Sequence, residues 1–178
     1  MSDKPSLTNV ATLRTRARQH LEMGAITPSY RPDRDAVIKL LNDALATEVV
    51  CFLRYKRHYF AATGIHAQGV KAEFLAHAAE EMGHADLLAK RIVELGGLPD
   101  FSPATLVERS HAEYIAGDTL ADMIREDLVA ERIAIDSYGE AIAYVGADDP
   151  TTRRVLEGIL AVEEEHADDL RSLLDRLR

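Results

Sequence analysis

The stretch Ala79-Glu80-Glu81-Met82-Gly83-His84-Ala85-Asp86 decides how this chain folds. It lies among strong helix formers, so Glu81 and His84, three residues apart, share one helix face. The phrase returns as Glu163-Glu164-Glu165-His166-Ala167-Asp168, where Glu163 and His166 repeat the spacing. Each copy is preceded by a glutamate inside an apolar-patterned segment, Glu48 in LATEVVCFLRYK and Glu131 in LVAERIAIDSYG. Each of those glutamates has a tyrosine seven residues later, Tyr55 and Tyr138. The chain thus reads twice as Glu…Tyr followed by Glu-x-x-His-Ala-Asp.

A single Glu-x-x-His is common on solvated helix faces. Two copies, each paired with a mid-helix glutamate, match the four carboxylates and two imidazoles of a two-metal site inside a four-helix bundle. A carboxylate at an apolar bundle centre is costly unless a cation compensates it. Two divalent ions would balance four carboxylates and leave both imidazoles neutral. Such ligands suit iron and manganese, and admit zinc. In this reading Glu81 and Glu163 bridge the ions, Glu48 and His84 complete one coordination sphere, and Glu131 and His166 complete the other.

Working outward, the apolar pattern predicts four long helices. The first starts at the cap Asp33 and runs to about Ala62, with Val37, Leu40, Leu41, Ala44, Leu45, Val49 and Phe52 as its stripe. The second spans about Ala67 to Leu95, with Phe74, Leu75, Leu87, Leu88 and Ile92 turned inward, and stops at Gly96-Gly97-Leu98-Pro99. Residues 98–117 form a long connection of the kind that crosses a bundle from end to end. Asp118 or Thr119 caps the third helix, which stops at Gly146. Asp149-Pro150 starts the fourth, over 150–177. Ahead of them, residues 1–32 form an arm, with 1–9 disordered and a short amphipathic helix over 9–23. The bundle proper is 33–178.

The 178-residue chain is long enough for one sizeable core. Its single cysteine, Cys51, reads as a small buried hydrophobe. With no internal disulfide, no apolar leader and no run long enough for a membrane span, the expected location is cytoplasmic. The net charge of −9 is uneven: residues 1–31 carry five Lys/Arg against two acids, leaving −12 on the remainder. An acidic body draws metal cations, and a basic arm offers contacts to DNA phosphates. The arm reads first as a solvated extension. His77 reads as surface, with ion steering as its alternative; the unpatterned His20, His58, His66 and His111 read as surface, Tyr138 as packing, and Tyr55 as either a core aromatic or an electron donor or ligand-orienting partner. Glu80, Glu164 and Glu165 read as acidic helix faces.

These residues resemble the bacterioferritin branch of the ferritin-like superfamily over about 34–177. The most specific parts are Glu48 with Tyr55, Glu81-Met82-Gly83-His84-Ala85-Asp86, Glu131, and Glu163 with His166. The resemblance implies an all-α, ferritin-like four-helix bundle with a long crossover between its second and third helices. It further implies a ferroxidase centre with two iron ions per subunit. There Fe²⁺ would be oxidised by O₂ or H₂O₂ and passed to a mineral core in a homo-oligomeric shell. Met82 matches the position that ligates haem in that branch.

The pattern departs from that branch in two ways. Only twelve residues follow His166, too few for the fifth helix of 24-subunit shells. The amino-terminal arm is more like the Dps-type mini-ferritins, so a 12-subunit shell is expected, with 24 as the alternative. Competing readings are a rubrerythrin-type peroxidase, a manganese catalase, a DNA-binding Dps-type protector, and a metal-free structural bundle. The last of these leaves Glu48 and Glu131 unexplained in apolar stripes.

Overall fold

The computed structural model describes residues 6–177. Six α-helices and no strand occur among them: α1 Val10–Arg16, α2 Arg34–Ala61, α3 Ala67–Glu94, α4 Leu106–Arg109, α5 Leu120–Val145 and α6 Pro150–Arg176. At 1.5 Å per residue the four long helices are each roughly 40 Å in length.

The helix ends follow from the cap chemistry. The Asp33 carboxylate accepts from the Ala36 N–H at 3.1 Å, and Asp149 accepts from Thr152 N–H at 2.9 Å with Pro150 in the first turn. Thr119 is the cap of α5; it and Asp122 close a reciprocal capping box. At the end of α3, Gly97 N–H reaches Ile92 O and Gly96 N–H reaches Val93 O, both at 2.9 Å. That Schellman closure needs the left-handed φ of +79° that Gly96 supplies.

Two antiparallel hairpins, α2–α3 and α5–α6, are joined by the crossover. The crossover runs parallel to α2 and is stitched to it along the way. Arg109 Nη1 donates to Asn42 O at 2.8 Å, His111 N–H to Thr47 Oγ1 at 3.0 Å, and Arg54 Nη1 to Glu113 O at 2.8 Å. It therefore carries the chain from the start of α2 to its end, and α5 begins antiparallel to α2. The long connection does cross the bundle, with α4 as its one helical turn.

Two expectations fail here. The arm helix is shorter than 9–23, ending at Arg16 before a 3₁₀ turn at Leu21–Met23. None of its residues is buried, and a short helix without a packing partner does not propagate. Leu75 and Leu87 point outward, 39% and 49% exposed, because the inward face of α3 runs through Phe74, Ala78, Glu81, Ala85, Leu88 and Ile92. The disorder expected for 1–9 falls, for its first five residues, outside the described residues.

The core is divided. One apolar cluster, around Leu41, Leu45, Leu88, Ile92, Leu156 and Ile159, fills one end of the bundle. Another, around Tyr55, Phe74, Ile124, Leu170 and Leu173, fills the other. The polar residues singled out in the sequence lie between them.

Candidate metal centre

Glu48 on α2, Glu81 and His84 on α3, Glu131 on α5, and Glu163 and His166 on α6 all point into the bundle, none more than 6% exposed. They form two overlapping quartets. One ligand atom from each of Glu48, Glu81, His84 and Glu163 lies within 4.8 Å of the others, as does one from each of Glu81, Glu131, Glu163 and His166. Glu81 and Glu163 belong to both quartets.

Helix antiparallelism makes the site nearly symmetric. Tyr55 on α2 donates to Glu131 on α5, and Tyr138 on α5 donates to Glu48 on α2. The seven-residue interval within each helix is what matches them across the pair. Tyr138, read from sequence as packing, is thus a hydrogen-bond donor to a site carboxylate, and Tyr55 plays the same part.

The decisive feature is what these groups lack. Among the described residues, the buried side-chain atoms without a hydrogen bond are Glu81 Oε1, Glu131 Oε2, Glu163 Oε1 and Oε2, and His166 Nδ1. All belong to this one site. Glu163 Oε1 sits 2.9 Å from His84 Nδ1, close enough for charge attraction but without hydrogen-bond geometry. Orphaned acceptors converging on one point are costly unless a cation satisfies them. The opposite ring nitrogen of His166, Nε2, lies 2.7 Å from Glu80 Oε2, the carboxylate–imidazole pairing that orients a metal-ligating histidine.

Residues 38–178 match the family described as a ferritin-like domain. The chain belongs to the ferritin-like family. It is 34% identical over 142 residues to the bacterioferritin of Streptomyces coelicolor, covering 78% of this chain and 80% of that protein. It is 31% identical over 147 residues to the DNA protection during starvation protein of Brevibacillus brevis, covering 78% of this chain and 95% of that one. Among solved structures, the dodecameric thioferritin of Bacteroides fragilis superposes with a TM-score of 0.78 at 33% identity, over 82% of this chain and 88% of that one.

In this ferritin-like chain the site's own residues are electrostatically tense. Burial and the neighbouring carboxylates push Glu81 and Glu131 well above the ordinary carboxylate range. Glu163 moves the other way, because His166 and His84 outweigh the effect of burial and hold it low. Burial disfavours imidazolium at His84, yet Glu163, Glu48 and Glu81 lift it to about 12, and His166 is lifted against burial to about 9 by Glu163 and Glu131. Both imidazoles therefore hold their protons at neutral pH. Burial, then the carboxylates, raise the Tyr55 and Tyr138 phenols, so both remain donors.

His77 and His58 are buried, against the surface reading. His77 stacks on His166 with ring centroids 4.0 Å apart and places Nδ1 3.3 Å from the Tyr55 hydroxyl. Burial, with His166 adding to it, lowers its pKa to about 4, so it is neutral. Its signal was present in the sequence: it lies four residues before Glu81, on the same face. His58 belongs to a separate cluster, with ring nitrogens 2.8 Å from Asp127 Oδ2 and 3.0 Å from Ala116 O. Glu80 is exposed as expected, though its carboxylate reaches inward to His166. Glu164, Glu165, His20, His66 and His111 are exposed, and Cys51 is buried. Met82 is half-buried against the first apolar cluster, off the face that carries the ligands.

Proposed function

We propose that this chain oxidises and stores iron: Fe²⁺ enters as a pair, is oxidised by O₂ or H₂O₂, and the ferric product is mineralised inside a homo-oligomeric shell. The observation that carries the reading is the set of five orphaned buried atoms at the junction of two quartets sharing Glu81 and Glu163. Two ferrous ions there would each give up one electron. Peroxide would take both, its O–O bond breaking to give two waters with two protons supplied, so no one-electron hydroxyl radical is released. Glu81 and Glu163 would bridge the ions, Glu48 with His84 and Glu131 with His166 would complete their spheres, and the tyrosines would fix the terminal carboxylates. The same donors would take manganese or zinc.

Shell formation is supported by the relatives, one of them described as dodecameric, and by large apolar side chains left exposed on the single chain, among them Phe60, Ile65 and Val93. Twelve subunits is our reading, with 24 as the alternative. No described helix is long and apolar enough to cross a membrane, which accords with a cytoplasmic location. Haem is a separate element, implied at Met82. Haem-loaded protein should show an absorbance band that Met82→Leu loses, and an unchanged band would remove Met82 from that role.

A second reading is favoured by one feature. Helix α1 buries nothing and presents Arg14 and Arg16 in its last turn, as a DNA-contacting arm would. Such binding would fade steeply with salt and would be lost on deleting residues 1–23.

The test of the main reading is anaerobic Fe²⁺ loading followed by separate exposure to oxygen and to hydrogen peroxide, with ferric absorbance as readout. Fast turnover with either supports the proposal, and the faster oxidant names the task. No ferric signal with either would reject it in favour of a manganese catalase or another di-metal oxidoreductase.

A further inference from the structure

Helix α1 and the seam between α2 and α5 are each half of a contact that the single chain does not make. Val10, Leu13 and Ala17 share one face of α1 and its cap, Arg14 and Arg18 border that face four residues apart, and no residue of α1 is buried. Residues 4–21 hold Lys4, Arg14, Arg16 and Arg18 and no acid.

The seam is covered along part of its length by the crossover, where Ala112 packs with Cys51 and Ala130. Nearer the start of α2 it lies open as a cavity of about 710 Å³. Leu40 and Ala44 on α2 and Ile133 and Ala141 on α5 give it an apolar lining. On its rim Asp43 is already paired with Lys39. The other two acids, Asp136 and Glu140, are exposed and in no salt bridge among the described residues, and they stand four residues apart like the two arginines. The α2 lining runs from Ala36 to Ala44, roughly 12 Å of helix, and the seven residues of α1 span roughly 10 Å. Size, apolar character and charge therefore match.

The base of the arm is fixed on its own chain. Tyr30 donates to Asp149 Oδ2 at 2.9 Å, and Ile26 packs on the first apolar cluster. From that tether α1 leaves its own seam open. We propose that the seam between α2 and α5 seats helix α1 of a second copy of this chain, apolar face down, with Arg14 and Arg18 against Asp136 and Glu140. The seat rests on the homo-oligomeric part of the reading above and on none of its iron chemistry. A seated arm withdraws Arg14 and Arg18 from DNA, so the two uses of the arm exclude one another.

The experiment is limited trypsin digestion of the full-length assembled protein at low ionic strength, without iron, with light scattering to report assembly. Cleavage after Arg14 and Arg18 should be slower in wild type than in Leu13→Asp or in Asp136→Asn with Glu140→Gln, by about threefold or more. Leu13 is 50% exposed and Asp136 and Glu140 are exposed, so these variants leave the bundle's core untouched. The source of the arm is read by co-assembling a tagged Leu13→Cys chain with a differently tagged Ile133→Cys chain, each folded by circular dichroism. Mild oxidation should join the two tags through a disulfide. Equal cleavage in all three assembled proteins, or protection that arises only on adding duplex DNA, would overturn the seat. A disulfide that forms only within a chain carrying both cysteines would overturn the second copy as its source. A monomer in light scattering would reject the seat together with the shell, whereas an assembled protein with freely cleaved arms would reject the seat alone.

Discussion

Two buried charged clusters sit side by side between α2 and α5, and they differ in one respect. In the first, Arg54 Nε donates to Asp127 Oδ1 at 2.8 Å, its Nη1 donates to Glu113 O, and His58 lies between Asp127 Oδ2 and Ala116 O. None of its atoms is among the buried orphans. In the second, one helical turn further along, Glu48, Glu81, Glu131 and Glu163 meet two imidazoles and leave five atoms without partners. Both clusters are equally buried and equally improbable in an apolar bundle. The closed one holds the crossover onto α2, and the open one leaves its buried acceptors unpaired. Burial of charge alone does not mark a functional site; burial of charge left unpaired does.

Breaking the closed cluster should have the largest effect on the fold. Arg54→Ala strands Asp127 and should cost about 3–5 kcal/mol of apo-protein stability in urea unfolding, because an uncompensated buried charge remains. An unchanged transition would show that solvent reaches Asp127. Opening the other cluster should do the reverse. Glu81→Gln with Glu163→Gln should abolish paired metal binding while leaving the apo protein as stable as wild type, or more so by about 1–4 kcal/mol. A large loss of stability there would mean that the carboxylates are structural.

The contrast also sharpens with pH. His84 and His166 titrate at about 12 and about 9 in the folded metal-free chain against 6.5 as ordinary values. The folded chain therefore binds more protons than the unfolded chain above pH 6.5, and the raised Glu81 and Glu131 act in the same direction. This stabilisation is fully present below about pH 6.5 and is lost progressively above it, the His166 part by about pH 9 and the His84 part by about pH 12. Thermal scans of metal-free protein should show Tm falling by at least about 3 °C over that interval. Co²⁺-loaded protein should not show the fall, since the cations replace the protons. A flat apo profile would contradict the electrostatic account.

A smaller effect belongs to the hydrogen bonds that flank the open cluster. Tyr138→Phe should weaken metal binding by about 10–100-fold, and Tyr55→Phe should do the same at the other ion, read by competitive titration. Smallest is the cap Thr119→Ala, which should cost about 1 kcal/mol without touching metal affinity.

The open cluster was legible in the sequence because its chemistry imposes a spacing. Glu81 and His84, three residues apart, share a helix face, and Glu163 and His166 repeat that spacing. Helix ends were legible where a side chain makes the cap, as at Asp33, Thr119 and Asp149. The closed cluster was not, because Arg54, His58 and Asp127 meet through helix pairing and the crossover, and no repeated motif announces them. His77 was missed although it lies four residues before Glu81, on the same helix face. Helix α1 was overextended because its apolar periodicity has nothing to pack against.

The proposed function requires the open cluster to hold two metal ions bridged by Glu81 and Glu163. Anomalous diffraction from crystals loaded anaerobically with Fe²⁺ tests it directly. Two iron peaks about 3.5–4 Å apart are expected, both within reach of Glu81 and Glu163, one beside His84 and the other beside His166. A single peak, or iron bound elsewhere with these carboxylates still unpaired, would contradict it.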